Sequence, residues 1–459
     1  MDALSLQEVC QVVAGRWLTP PSDTLIKAVC TDSKHMQGES IFVALKGEKF
    51  DGHRFLNQAA QGGAVAALVQ EEPGPTQASV GAMALIGVPD TRAALGKLAH
   101  LVRQKFRGKV VAVAGSNGKT STKHLIHAAL GSSLRGTISP KSYNNDIGVP
   151  LTIFPADASQ DYLVLEMGTN HPGEIRTLTH MAKPDAVVLT NASAEHLEFL
   201  GDLAGVRREN ASIIEGLNPT GLLAVNGDDP ELIEAVCAFK GTWTSFGFGG
   251  HNNLFATHIR VEDQGTRFRL NGQSEVFVPL LGKHTAINAL AAIAVGRWMG
   301  LSQAKILSGL AHSSGPEMRL QLHRMGAVRL LNDAYNANPA SMKAALETLR
   351  ELPTQGRRIA VVGDMRELGE SGPRCHEEVG EFAAGCNLDQ LICIGPQAQL
   401  IAGVARRLGM AAERITMFPD AQAAAQALPP RLADGDLVLL KASRTMHLEV
   451  VADAIRKKF

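Results

Sequence analysis

Short apolar runs, each closed by a turn and followed by a stretch with helical spacing, recur along this chain in three cycles. In the first cycle IFVAL (41–45), AVAALV (64–69) and MALIGV (83–88) predict the strands of a small α/β domain. LGKLAHLVRQKF (95–106) has the spacing of a helix leading into the next unit. From Val110 the runs lengthen. VVAVA (110–114) is unbroken, as expected of a parallel strand buried on both faces, and DYLVLEMG (161–168), DAVVLTN (185–191) and GLLAV (221–225) repeat it. Residues 253–280 alternate in the manner of an antiparallel edge, and a long helix is expected from about Thr285 to Met299. A third cycle begins near Gly315, with VRLLND (328–333), RRIAVVGD (357–364), QLICIG (390–395), RITMF (414–418) and DLVLLKA (436–442) as strands. The pattern predicts the α/β class with three domains: a small one over 1–85, a central parallel-sheet domain over 86–313, and a Rossmann-like one over 314–459. The third lacks a GxGxxG, so nothing in its pattern assigns it a dinucleotide.

Composition narrows the partners. At 459 residues the chain has room for about three domains. Lys plus Arg equals Asp plus Glu at 45 each, so no overall field draws it to nucleic acid or to an anionic membrane. An anionic ligand must be held by a local site. The six cysteines form no CxxC pair, which argues against a zinc site or a disulfide framework and fits a reducing compartment. MDALSLQEVCQVVAGRW has no basic segment followed by an apolar core and does not read as a signal peptide. No apolar run approaches the ~18 residues of a membrane span. The chain reads as cytoplasmic, without membrane insertion.

The sharpest local signal is Ala114-Gly115-Ser116-Asn117-Gly118-Lys119-Thr120-Ser121, which follows a buried strand and opens a helix. Glycines let a backbone wrap phosphates and turn its N–H groups inward, and the helix adds the positive end of its dipole. Lys119 has the reach for the β- and γ-phosphates, and the Thr120 hydroxyl suits magnesium. The general eight-residue form is not fully met, because its first glycine falls on Val113. An ordinary glycine turn with a surface lysine is the plainer alternative; strand, GKT and helix together favour phosphate binding. Magnesium also needs oxygen ligands. Glu166 closes the run LVLEMG at the strand end where open α/β sheets place ligands. His196 follows another strand end, and taken alone it reads as a surface or helix-capping histidine.

With these segments in place the chain resembles the Mur ligase family over nearly its whole length. The family's phosphate loop is a shortened GxxGKT/S form, which accounts for Val113. Further family-like segments follow in order: SYNNDIGVPLT (142–152), LEMGTNHPGEI (165–175), TNASAEHLEFLG (190–201), GKHTAINALAA (282–292), MRLQ (318–321), NDAYNANPASM (332–342) and LLKASRTM (439–446). NDAYNANPASM resembles the branch that adds D-alanyl-D-alanine to a UDP-linked muramoyl tripeptide. The DYAHTP and DNPR segments of the lysine- or diaminopimelate-adding branches are missing. TDSK (31–34) and FVALKGEKFDGH (42–53) resemble the uridine nucleotide pocket, with lysine where arginine is common.

The resemblance implies an ATP-dependent ligase working through an acyl phosphate, with ATP and magnesium as cofactors. Its small-molecule substrates would be UDP-N-acetylmuramoyl-tripeptide and D-alanyl-D-alanine. Apart from the resemblance, a monomer is the expected state of the chain. Gly115, Ser116, Asn117, Gly118, Lys119, Thr120 and Ser121 would cradle ATP phosphates, and Thr120, Glu166 and His196 would hold or orient magnesium. Lys119, Glu166 and His196 form the implied catalytic set. Asn288, with His284 nearby, would contact adenine, and Arg319 and Asp333 would close onto ATP from the third domain. Thr31, Asp32, Ser33 and Lys34 would hold the UDP part. Asn144 and Asn145 would face that substrate, and Asn336 and Asn338 the dipeptide. Residue chemistry also reads Asn338-Pro339 as a helix start with Asn338 as N-cap, and Lys441 and Arg444 as basic caps near the last helix. One departure stands out. The family often carries a carbamylated lysine as a metal ligand, and GVRRENASI places Asn210 there, which cannot be carbamylated.

Overall fold

The computed structural model describes residues 1–48, 50–71 and 80–459. FVALKGEKFDGH therefore includes one position, Lys49, outside the described residues. Each of the three cycles builds its own main sheet. The first has five strands in the order Arg16–Trp17, Ala84–Val88, Ala64–Gln70, Ser40–Val43, Ala28–Cys30, parallel except at the first pair. Its central strands are unbroken apolar runs because both faces are covered: Ile41, Ala66, Leu68 and Ile86 bury one face, and Phe42, Ala67 and Leu85 the other.

The central sheet has nine strands. Its parallel part runs Leu254–Glu262, Thr242–Gly247, Leu222–Asn226, Ala186–Leu189, Lys109–Ala114, Tyr162–Glu166, Gly136–Ile138. Gly265–Leu270 and Ser274–Val278 extend it antiparallel. The expected antiparallel edge is thus present, but Leu254–Glu262 also pairs parallel with Thr242–Gly247, so edge and core are one sheet. The helix His284–Trp298 is apolar nearly all round because it is buried beneath this sheet, with Ala289, Leu290, Ile293 and Val295 fully covered. On the other face, helix Thr91–Lys105 buries Leu95, Leu98, Ala99 and Val102 in a core continuous with that of the first sheet. Asp90 caps this helix through the N–H groups of Arg92 and Ala93.

The third sheet has six strands, in the order Gln321–Met325, Val328–Asn332, Leu437–Lys441, Arg358–Gly363, Gln390–Ile394, Ile415–Phe418, parallel after the first antiparallel pair. The edge strand Gln321–Met325 had no clear period-two signal in the sequence. Asp436 (1% exposed) anchors the start of the inner strand by accepting from the Arg357 guanidinium at 2.6 Å and from the backbone N–H groups of Arg357 and Ala433. Burial pushes its carboxyl up, but Arg357 and the two backbone donors outweigh that and hold it below the ordinary carboxylate value. A pKa lowered in the folded state gives stability that is present above the unfolded value of about 4 and lost as pH falls through the folded value. Asp436→Asn should therefore destabilise this unit by about 2 kcal/mol at pH 7 and by less at pH 3. Urea unfolding at the two pH values checks this, and an equal loss at both would refute it.

Candidate active site

The carboxyl ends of the central sheet face the third sheet across a cavity of about 930 Å3. The phosphate loop forms its floor. Gly115 (φ +125°) and Gly118 (φ +84°) lie in the region that disfavours side chains. A Cβ at Gly118 would sit 2.6 Å from Asn288 Oδ1, so the loop must be glycine where the long helix crosses it. The loop is held from behind. Asn117 N–H donates to Asn191 Oδ1 (3.0 Å), Thr190 Oγ1 donates to the Asn117 carbonyl (2.6 Å), and Ser193 N–H donates to Ser116 Oγ (2.9 Å). The Lys119 ammonium donates to the Gly115 and Ser116 carbonyls and so lies along the loop's own concavity. Thr120 (4% exposed) opens the helix Lys119–Gly131.

Glu166 is not a solvated strand-end carboxylate. It is 1% exposed, with Oε2 accepting from Lys123 Nζ at 3.0 Å and Oε1 from Asn144 Nδ2 at 3.1 Å. Burial lowers the Lys123 pKa, and the Glu166 charge opposes that shift. His196 adopts φ +49° ahead of the short helix Leu197–Leu200 but makes no side-chain cap. Its Nδ1 instead faces Glu367 Oε2 at 2.7 Å without regular hydrogen-bond alignment. That proximity keeps the Glu367 carboxyl below its usual range despite burial.

The third sheet supplies the opposite wall. Arg319 stacks over the Tyr335 ring at 4.3 Å, and Asp333 Oδ2 accepts from Lys441 Nζ at 2.6 Å. Lys441 also donates to the Asn336 carbonyl at 3.0 Å; it is an inner-wall residue and not a cap of the last helix. Burial lowers its pKa against the pull of Asp333. Asn338 is the N-cap of Pro339–Glu351, as its sequence suggests, and completes a capping box with Ser341. Its Nδ2 has a second use: it donates to Asn117 Oδ1 of the phosphate loop at 2.9 Å. Tyr335 donates to Ser142 Oγ at 2.6 Å, a second direct link between the walls.

Ser116, Asn117, Gly118, Lys119, Thr120, Ser121, Asn144, Asn145, Glu166, His196, Asn288, Arg319, Asp333, Asn336 and Asn338 all line this cavity, and Gly115 lies just behind it. Asn145 has a local task as well, accepting from Gly148 N–H (2.8 Å) at the start of the next helix. Thr31, Asp32, Ser33 and Lys34 are not part of the cavity. They occupy a surface turn of the first sheet, where Asp32 caps the turn through Lys34 N–H and Ser33 donates to Gln58 Oε1. Asn210 is also absent from the lining: it is 2% exposed and its Nδ2 returns to the Val206 carbonyl. Its neighbour Glu209 accepts from Gly173 and Ile175 N–H groups and orders the segment behind Thr169.

Lys123, Tyr335 and Glu367 escaped the sequence reading. Lys123 had a usable signal, since it sits in register with Ile126 and Leu130 on the buried stripe of its helix, where an ammonium must have a partner. Tyr335 meets Ser142, and Glu367 meets His196, across the cavity, at separations no local pattern reports.

A phosphate loop on a parallel sheet, facing a second α/β unit across a shared cavity, defines a nucleotide-dependent enzyme whose site is built from two walls. Residues 25–103 match the Mur ligase family catalytic domain, 113–296 the Mur ligase middle domain, and 318–444 the Mur ligase glutamate ligase domain. The chain is 36% identical over 457 residues to a UDP-N-acetylmuramoyl-tripeptide--D-alanyl-D-alanine ligase of Bacillus subtilis, covering 98% of each chain. It is 36% identical to the Escherichia coli protein of the same name, covering 100% of this chain and 99% of that one. Among solved structures, MurF from Acinetobacter baumannii superposes with a TM-score of 0.90 at 30% identity over the full length of both. MurF from Thermotoga maritima in complex with ADP does so at 0.83 and 28%, covering 94% of this chain and 97% of that one. The chain belongs to the Mur ligase family, on its MurF branch.

Proposed function

We infer that this chain is an ATP-dependent ligase that joins D-alanyl-D-alanine to UDP-N-acetylmuramoyl-tripeptide, giving the pentapeptide precursor of peptidoglycan. The observation that carries the reading is the single cavity onto which Lys119 and Glu166 from one sheet and Arg319 and Asp333 from another converge. Full-length similarity to ligases of that name supports it. The three sheets support a division into 1–85, 86–313 and 314–459, the first exchange lying within a few residues of the strand end at Val88. A cytoplasmic monomer is part of the same proposal, as is a role in cell shape and division through the cell wall. Among the described residues no helix is long and apolar enough to cross a membrane.

A carboxylate is a poor acyl donor, and phosphorylation corrects this. The terminal carboxylate oxygen of the tripeptide attacks the γ-phosphorus of ATP in line, and the bond to the ADP oxygen breaks. The neutral amine of D-alanyl-D-alanine then attacks the acyl carbon, phosphate leaves, and the amine gives up a proton. Lys119 stabilises charge on the transferring oxygens, and the backbone N–H groups of 116–120 hold the β-phosphate. Magnesium, when bound, neutralises the same charge. The residues present fit it: Thr120 and Glu166 supply oxygen, and a magnesium site uses one or two such side chains with phosphate and water oxygens. His196 would orient that shell, Asn288 would touch the nucleotide, and Arg319 and Asp333 would close over it. Asn144 and Asn145 face the UDP-linked substrate, Asn336 and Asn338 the dipeptide, and Thr31 to Lys34 the UDP group. Covering the cavity from both walls excludes the water that would hydrolyse the acyl phosphate.

The test is phosphate release from ATP with UDP-muramoyl-tripeptide and D-alanyl-D-alanine supplied singly and together. Release that requires both, with a UDP-pentapeptide of the expected mass, is the expected result. Turnover without either substrate, or stimulated only by a macromolecule, would overturn the reading in favour of a motor or switch ATPase.

A further inference from the structure

The Lys123 side chain is fully buried, yet it carries an ammonium, five residues into a helix whose neighbouring buried positions are Leu125, Ile126 and Leu130. Taking such a charge out of water is costly unless its partners are well placed, and an apolar residue of similar length would fill the space without that cost. Its partners are specific. One ammonium proton goes to Glu166 Oε2 at 3.0 Å, and another to the backbone carbonyl of Lys141. Lys141 itself sits at φ +44°, a left-handed conformation that a residue with a side chain adopts only when its surroundings hold it there. Directly after that turn come Ser142, Asn144, Asn145 and Asp146, which line the cavity.

The loop is tied at its far end too. Asn144 donates to the other Glu166 oxygen at 3.1 Å, and its carbonyl accepts from Gly168 N–H at 2.8 Å. Ser142 accepts from Tyr335 across the cavity. The helix that begins at Lys119 therefore reaches the loop 140–147 by two routes that both start at Lys123: one through the Lys141 carbonyl, the other through Glu166 to Asn144.

We propose that Lys123 is a positioning residue for the UDP-linked substrate, holding the Glu166 carboxylate and the Lys141 carbonyl together so that loop 140–147 presents Asn144 and Asn145 to it. This rests on the ligase reading above. It makes one distinguishing demand: loss of Lys123 disturbs the acyl-donor side of the cavity and spares the phosphate loop, whose own bonds run to Thr190, Asn191 and Ser193.

The experiment compares the full chain with Lys123→Met by calorimetric titration of ADP and, separately, of UDP-muramoyl-tripeptide, with steady-state kinetics alongside. Lys123→Met should weaken UDP-tripeptide binding about 10- to 100-fold and raise its KM in parallel, as loss of a supporting contact does elsewhere. ADP affinity, titrated without magnesium so that Glu166 plays no part in it, should stay within about threefold of the parent, because the phosphate loop keeps its own bonds. UDP-tripeptide binding that is unchanged overturns the proposal. So does an equal loss of ADP and UDP-tripeptide binding with a lowered melting temperature, which would mark a purely structural ion pair. If Lys123→Met does not fold, Lys123→Gln, which keeps one donor, is judged by the same criteria. A parent chain that bound neither ligand would sink the ligase reading itself, whatever the variants did.

Discussion

Lys119→Met is expected to cut ATP turnover by roughly two to three orders of magnitude while leaving the melting temperature nearly unchanged. The size follows from what removing one well-aimed charge or donor costs when negative charge moves in a secluded site. Lys119 donates to the Gly115 and Ser116 carbonyls of the loop, contacts that phosphate oxygens would replace on the proposed reading. They are local and partly exposed, so their loss does little to the fold. The loop's conformation depends instead on Gly115, Gly118 and the bonds to Asn191 and Ser193. Single-turnover acyl-phosphate formation, measured with circular dichroism melting on the same preparation, checks both halves. A loss under tenfold would mean that Lys119 does not face the transferring phosphoryl group.

Lys441→Met is expected to have the largest effect on stability. Lys441 and Asp333 are paired at 2.6 Å with side chains only 3% and 12% exposed, and Asp333 also accepts from Leu320 N–H. Removing the cation strands a carboxylate in a poorly solvated wall, at a cost of about 3–5 kcal/mol. Adding Asp333→Asn to the same chain should recover more than half of that, because no charge is then left without a partner. Hydrogen exchange in the adjacent strands Val328–Asn332 and Leu437–Lys441 reads the opening free energy of this unit separately from the rest. If the double substitution is no more stable than Lys441→Met alone, the pair is not the source of the loss. Both substitutions should also weaken nucleotide binding, since Asp333 and Lys441 share the cavity wall with Arg319.

The phosphate loop was legible because its chemistry is local. Strand, glycine turn, lysine, threonine and helix are contiguous, and each residue's role follows from its place in that run. Glu166 was legible as a strand-end carboxylate, but its near-complete burial was not, because Lys123 and Asn144 lie 43 and 22 residues away. His196 shows the opposite case. Its neighbours suggested a helix cap, and the structure turns the ring toward Glu367 of the other wall. For Asn338 both readings stand, since one amide has an acceptor for the cap and a donor for Asn117. The departure at Asn210 was visible in the sequence; that the residue bonds to Val206 and stays out of the cavity was not.

The sequence by itself determined the three α/β cycles, the unbroken apolar runs of the buried parallel strands, the nucleotide loop and the family. Each depends on periodicity or on residues adjacent in the chain. Tertiary structure alone decided which strand ends share a cavity, which carboxylates are buried, and that the third unit touches the phosphate loop through Asn338 and the substrate-side loop through Tyr335. These are contacts between residues some 190 to 220 positions apart. Their energies depend on packing and solvent exclusion after the sheets have formed, and no period in the chain encodes them.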